Sequence, residues 1–497
     1  MTLETLFRDL DEKNIQVLLE NDELVIRAPR GAMDAELAAR LRTHKGDLLA
    51  FLKEAPRETG AAAGRRPFRI TPEMLTLVSL TQDEIDRVVA TVPGGAGNVQ
   101  DIYPLAPLQE GILFHHLVTE EGDPYLLPSL LAFPRRERLE RFLAALQRVV
   151  DRHDILRTGL AWEGLPEPVQ VVRRKAALPV EHLQIDPADG DAVQQIEARF
   201  DPRHARLDLT QAPMLACHVA EDAANGRWLL HILAHHLAID HTTLELLVEE
   251  AELIEQGRES ELPVPVPFRN FVAQARLGVS QEEHETFFRQ MLEDITEPTA
   301  PFDILDIQGN GGDIHEASEA VPEDVARAIR RIARTLGVSA ASMMHLAWAV
   351  VLARLTGRQD VVFGTVLFGR MQGGESADRV LGMFINTLPI RLSVDQESVE
   401  TRLKDVHALL ARLLRHEHAP LSLAQRCSGV QPPAPLFSTL LNFRHAGGAA
   451  ADLPDTGPAA ADAAQDRDGD FEVLSGHERT NYPLTFSVDD LGEGFLL

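Results

Sequence analysis

From about residue 69 onward, short runs of Val, Ile, Leu and Phe alternate with segments of helical period, which restricts the chain to an α/β architecture. Strand runs fall at Val169–Val172, Trp228–Ala234, Val361–Val366, Leu388–Leu392, Leu440–Phe443 and Leu484–Val488. The spacing predicts helices over 82–91, capped by Thr81, and over 243–257, 282–293, 323–336 and 341–356. A longer helix follows the arginine-rich stretch 135–138, with Phe142, Leu143, Leu146, Val149 and Val150 on its apolar face. Pro301–Ala317 and Gly447–Asp470 read as loops, the second rich in Ala, Asp, Gly and Pro. The last residues, Gly494 to Leu497, end inside a strand pattern, as expected for a piece of a longer polypeptide.

Residues 1–57 carry a pattern of their own. Leu3, Leu6, Phe7 and Leu10 recur at helical spacing, and Met33, Leu37, Leu41, Leu48, Leu49 and Leu52 do so again. Between them, Ile15–Leu19 and Leu24–Ile26 flank Asn21-Asp22, which predicts a β-hairpin. The expected unit is therefore α-β-β-α. It is too small for more than a marginal core, which suits binding better than catalysis. A linker of small residues follows at 58–68.

Composition excludes several classes. A net charge of −28 repels phosphate backbones, so nucleic-acid binding is not expected. The two cysteines, Cys217 and Cys427, lie far apart and form neither a metal knuckle nor a disulfide framework. Cys217 sits in an apolar run and reads as a buried thiol. The acidic, amphipathic N-terminus is no secretory signal, and there is no run of apolar residues long enough for a membrane span. A reducing cytoplasm fits these features.

One segment concentrates chemistry. The apolar strand at 228–234 runs into His235-His236-Leu237-Ala238-Ile239-Asp240-His241, and a helix is expected to begin at Thr242 or Thr243. Adjacent strand residues point to opposite faces, so His235 and His236 cannot both face one cleft. One is expected to be structural and the other exposed for proton handling, for which imidazole is suited by its near-neutral pKa. The same alternation scatters the potential ligands, so no metal is expected.

HHLAIDH at 235–241 matches the HHxxxD signature of the condensation-domain superfamily, relatives of chloramphenicol acetyltransferase. Further motifs accompany it in the family's order: YPLAPLQEGILFH at 103–115, RHDILRT at 152–158, FRNF at 268–271, FGTVLFGR with LGMFINTLPIR at 363–370 and 381–391, HEHAPL at 416–421, and PLFST at 435–439. The chain thus resembles a condensation domain of a nonribosomal peptide synthetase. Its first 57 residues resemble the docking domains of synthetase subunits, whose edge strand pairs with a peptide from a partner subunit.

The resemblance implies two chloramphenicol acetyltransferase-like lobes in a V-shaped pseudo-dimer with a central channel, the N-terminal lobe at 69–275 and the C-terminal lobe at 276–497. It implies amide formation between an acyl donor and an amine carried on a peptidyl carrier protein's phosphopantetheine arm. His236 is the expected catalytic residue, as base or as positioning group. His235 is expected to support the turn, and Asp240 to hold the loop by pairing with Arg370. His241 stands where the family more usually has glycine, with substrate contact and local packing both open. Arg148 could contact a CoA phosphate or limit acyl length, or else lie on a solvated helix face. Gln109, Met383, Asn386 and Ser487 are further candidates for the substrate channel.

The opening motif and Asp240-His241 suggest a starter-type domain, with a small or medium-chain fatty acyl-CoA as donor and a lipopeptide as product. The docking-like unit favours the alternative, an internal domain fed by an upstream carrier. A silent domain that recruits a tailoring enzyme, and an epimerase, are the remaining readings. No permanently bound cofactor, membrane or oligomer is expected. The expected partners are carrier proteins, adjacent synthetase modules, acyl-CoA and a partner-subunit peptide.

Overall fold

The computed structural model describes residues 16–20, 23–27, 41, 69–119, 121–305, 315–369, 379–445, 471–476 and 482–497. In chain order, the first half contains β1 (Gln16–Glu20), β2 (Glu23–Arg27), α1 (Gln82–Thr91), β3 (Val99–Pro104), α2 (Pro107–Val118), β4 (Leu126–Phe133) and α3 (Arg136–Arg152). There follow β5 (Thr158–Ala161), β6 (Val169–Arg173), β7 (Val180–His182), α4 (Ala192–Arg199), β8 (Leu215–Asp222), β9 (Arg227–His235), α5 (His241–Glu255), α6 (Arg269–Leu277) and α7 (Gln281–Leu292). The second half adds α8 (Glu323–Leu336), α9 (Ala340–Thr356), β10 (Asp360–Leu367), β11 (Asn386–Ser393), α10 (Val399–Arg415) and α11 (Leu421–Arg426). It closes with β12 (Thr439–His445), β13 (Glu472–Gly476), β14 (Leu484–Asp490) and β15 (Phe495–Leu496).

The chain divides into two compact units, Met1–Pro104 with Ala161–Val171, and Leu105–Leu160 with Val172–Leu497. In the first, β1 and β2 pair antiparallel from Gln16↔Arg27 to Glu20↔Glu23, the hairpin expected around Asn21-Asp22. The two helices expected to flank it lie outside the described residues, apart from Leu41, a buried helical residue. Helix α1 starts where Thr81 caps it: the Thr81 hydroxyl accepts from the Glu84 amide while Glu84 Oε2 accepts from the Thr81 amide at 2.7 Å. Its Ile85 and Val88 share a core with Val99 and Ile102 of β3 and Val169 and Val171 of β6.

The second unit is built on two mixed sheets, ordered β13-β4-β9-β8-β7 and β11-β10-β12-β14-β15. Strand β9 is central in the first, antiparallel to β4 and to β8. That position explains its sequence: from Leu229 onward every residue is buried, and the run to Ala234 is apolar except for His231. Helix α3 covers this sheet with Leu139, Phe142, Leu146, Val149 and Val150, all at most 1% exposed, each contributing roughly 1.5–3 kcal/mol by burial. In the second sheet β10 pairs antiparallel with β11 and parallel with β12, and β12 pairs parallel with β14. Its core gathers Phe363 of β10, Leu388 and Ile390 of β11, Leu352 of α9, Leu413 of α10 and Phe288 of α7.

The boundary expected at 275/276 falls inside α6, which continues to Leu277. A single cut also misses β13: this strand comes late in the chain yet joins the first sheet, pairing Glu472 with Ala132 of β4. The loop expected at 301–317 begins with a short 3-10 turn at Pro301–Asp303, and the one at 447–470 lies outside the described residues. Cys217 and Cys427 are free and buried, and burial pushes the Cys217 thiol up to about 12. Among the described residues no single helix is long and apolar enough to cross a membrane.

One buried carboxyl gives the second unit a pH dependence. Glu417 is 1% exposed, and burial pushes its carboxyl up from 4.5 to about 7, with the Gly369 amide opposing. The folded state therefore binds a proton that the unfolded state has lost, and stability falls as pH rises from about 4.5 through about 7. Glu417→Gln is expected to melt higher than the parent at pH 8, with the gain shrinking at pH 5. A melting curve series over pH 5–8 checks this, and an equal gain at both ends contradicts it. At the acid side the sign reverses. Burial lowers His345, His416 and His418 to about 4, so their contribution is present above about 6.5 and is lost as pH falls towards 4.

Candidate active site at the His-Asp turn

Strand β9 ends at His235, and the chain then turns through His236, Leu237 and Ala238 before α5 begins. The turn closes on the His235 carbonyl, which accepts from Ala238 N at 3.0 Å and Ile239 N at 3.3 Å. Helix α5 starts at His241, slightly earlier than expected, because Asp240 is its cap: Oδ1 accepts from Thr243 N at 2.8 Å. The turn is thus locked between the end of a central strand and a capped helix.

His236 is 6% exposed. Its Nδ1 lies 3.1 Å from the Ile239 carbonyl oxygen, and its amide donates to Tyr125 O at 2.9 Å. A carbonyl can only accept, so Nδ1 carries a proton, and when the ring is neutral its lone pair is on Nε2. This is the tautomer needed for a group that takes a proton, or a hydrogen bond, from an incoming amine.

His235 faces the other way and is wholly buried. Its Nδ1 accepts from Leu237 N at 3.0 Å, which leaves Nε2 as the protonated nitrogen, donating to Asp123 Oδ2 at 3.0 Å. Burial lowers the pKa of the ring against the pull of Asp123, so it stays neutral. Asp123 itself is buried, which opposes ionisation, yet hydrogen bonds from His116 and His235 hold it well below the usual carboxylate range. His116, Asp123 and His235 are close enough together to suggest a metal centre. Their hydrogen bonds account for the cluster otherwise, since the His235 nitrogen nearest Asp123 is a donor rather than a free ligand.

Asp240 does more than cap. Its Oδ2 accepts from Phe384 N at 3.3 Å, and Thr243 Oγ1 both donates to Gly382 O at 2.8 Å and accepts from Gly382 N at 2.9 Å. The His-Asp turn is therefore fastened to the segment leading into β11. Gly382 has φ +148, and a Cβ there would lie 2.3 Å from the Phe268 ring, so glycine is required for this approach.

The other expected residues divide. Arg370 and the side chain of His241 lie outside the described residues, and so does the expected Asp240–Arg370 pair. Arg148 is half-exposed on α3 and pairs with Glu259, as on a solvated face. Gln109 is buried on α2, where Oε1 accepts from Ala106 N at 2.8 Å and Nε2 donates to Leu237 O at 2.6 Å. It supports the turn. Asn386 is 5% exposed, and its Nδ2 donates to the Glu417 and Ala419 carbonyls at 2.7 and 2.8 Å, fastening β11 to that loop. Met383 is 2% exposed, beside Gly382. Ser487 is half-buried on β14, opposite Asn442 of β12. Asp123 and His116 lie outside every motif read in the sequence, whereas Thr243 stands there only as a helix start and Gly382 only within the motif at 381–391.

Comparison with known proteins gives the family. Residues 99–497 match the condensation-domain family, and residues 3–54 match the TubC N-terminal docking domain. The chain is 53% identical over 423 residues to malpinin synthetase of Mortierella alpina, covering 85% of this chain and 5% of that protein. It is 47% identical to malpibaldin synthetase of the same organism, covering 92% and 8%. The chain thus spans a small fraction of the length of these curated relatives. Among solved structures, the condensation domain of the monacolin K polyketide synthase MokA superposes with a TM-score of 0.61 at 19% identity, covering 80% of this chain and 91% of that one. The EpoB cyclization-docking bidomain of Sorangium cellulosum superposes with a TM-score of 0.57 at 16% identity, covering 100% and 92%. Two lobes of the chloramphenicol acetyltransferase type are the fold of such neighbours, in line with the two mixed sheets found here. This chain belongs to the condensation-domain family of nonribosomal peptide synthetases, with a docking domain at its N-terminus.

Proposed function

We propose that this chain forms an amide bond between an acyl thioester and the amine of an aminoacyl group held on a carrier protein's phosphopantetheine arm, with His236 at the reacting centre. The observation that carries the reading is the His236 tautomer: Nδ1 donates to Ile239 O at 3.1 Å, so Nε2 is the basic nitrogen. The amine attacks the thioester carbon, the new C–N bond forms, the C–S bond breaks, and the thiolate leaves. Nε2 accepts the proton that the amine sheds or aligns the amine for attack. Holding both reactants in one channel between the lobes supplies proximity, a large share of the rate. Such chemistry uses the two substrates' own CoA or phosphopantetheine arms and calls for no resident cofactor.

For the donor, the starter reading rests on the opening motif at 103–115 and on Asp240-His241, and it names a fatty acyl-CoA. The match of residues 3–54 to a docking domain favours a second reading, in which an upstream carrier delivers the donor, because docking implies a partner subunit. The two separate cleanly. An acyl-CoA panel offered with an aminoacyl-loaded carrier, followed by the mass of the carrier, gives N-acylation under the starter reading. Acylation from an upstream carrier thioester alone supports the second. Absence of reaction with both donors, together with binding of a tailoring enzyme, overturns the catalytic reading.

A further inference from the structure

Two neighbours of His236, His235 and Tyr125, lead back to one carboxylate. Asp123 lies just beyond α2, with its side chain wholly buried. Its Oδ2 accepts from His116 Nδ1 at 2.5 Å and from His235 Nε2 at 3.0 Å, and its Oδ1 accepts from Tyr125 N at 2.9 Å. Tyr125 in turn accepts the His236 amide on its carbonyl, while His235 accepts the Leu237 amide on Nδ1. The residue holding His236 from behind and the residue holding the peptide in front of it are thus both fastened to Asp123.

The residues around Asp123 are themselves tied down. Arg206 donates to the carbonyls of His116, Thr119 and Gly122 at 2.6, 2.5 and 2.9 Å, and Asp123 N donates to Pro202 O at 2.7 Å. Helix α2 contributes at both ends, with Gln109 at its start donating to Leu237 O in the turn and His116 at its end donating to Asp123. A buried carboxylate in three hydrogen bonds is costly to assemble and specifies one geometry.

We propose that Asp123 is a positioning residue for His236, acting through His235 and Tyr125 to fix the direction of the His236 ring. This rests on His236 being the reacting imidazole. Asp123→Asn removes one of two accepting oxygens. Whichever way the amide turns, its NH₂ faces an N–H donor, either that of Tyr125 or those of the two histidines. The histidine rings or the Tyr125 amide must then shift.

The test uses the full chain with an aminoacyl-loaded carrier and the donor it accepts. Asp123→Asn is expected to lower kcat at least tenfold while the acceptor KM changes less than twofold. Histidine ¹⁵N spectra give a second readout independent of activity. The wild type should show His235 protonated on Nε2 and, wherever its ring is neutral, His236 on Nδ1, and the variant should show both rings shifted or in mixed tautomers. Where Asp123→Asn does not fold, His116→Phe, which removes one donor to the carboxylate, is expected to move both readouts in the same direction and less far. Wild-type kcat and unmoved ring signals in a folded variant overturn the proposal. His236→Ala in parallel keeps the two claims apart. If that variant is active, the catalytic reading fails, whereas an inactive one beside an undisturbed Asp123 variant sinks only the positioning role.

Discussion

His236→Ala lowers amide formation by about 10²–10⁴-fold, the range expected on removing a positioned acid–base group. The loss appears in kcat when the acceptor is saturating, because the ring acts on the amine after it has bound. The fold survives. The substitution gives up the hydrogen bond to Ile239 O, roughly 1 kcal/mol, while the backbone bond from His236 N to Tyr125 O remains. Near-wild-type melting with product formation at background therefore marks a chemical defect. Single-turnover transfer onto the loaded carrier, beside a melting curve, checks both halves. Undiminished transfer contradicts the assignment of His236.

Asp240→Ala is expected to cost both stability and activity. Removing the cap on Thr243 N costs about 0.5–2 kcal/mol. Leaving the buried Phe384 amide without its carboxylate partner costs about 1–3 kcal/mol more. The sum, on the order of 1.5–5 kcal/mol if the two add, is a large part of a typical domain's margin. The activity falls because the turn carrying His236 loses one of its ties to the Gly382–Phe384 segment and is held there by Thr243 without Asp240. Asp240→Asn restores part of the stability, since its amide oxygen still accepts one of the two N–H groups. Chemical denaturation of the three proteins checks this order, and equal stabilities contradict it.

The sequence made the local structure around the site legible because local rules govern it. An apolar run, a crowded turn and a capped helix start are written within 228–243, and Thr81 announces α1 through its capping box. What could not be read is set by long-range pairing. Asp123 stands 112 positions from His235, in a short acidic loop with no pattern that marks it as their shared acceptor. Strand β13 has the composition of any edge strand, and only its partner β4 reveals that it returns to the first sheet. Gln109 and Asn386 show the same limit. Both lie in recognisable motifs, where a polar side chain serves equally to touch substrate or to fasten backbone. Packing makes them fasteners here, each satisfied by carbonyls of a distant loop. For Arg148 the sequence leaves a channel and a solvated face both open, and the half-exposed side chain pairs with Glu259.

The central claim places the basic nitrogen of one imidazole against the attacking amine. A crystal structure with an inert amine-bearing chain attached to the phosphopantetheine arm of a docked carrier measures this. The amine nitrogen is expected within hydrogen-bond distance of His236 Nε2, about 2.6–3.2 Å, with Nδ1 still bound to Ile239 O. An amine seated firmly elsewhere, or a His236 ring turned so that Nδ1 meets it, would contradict the account.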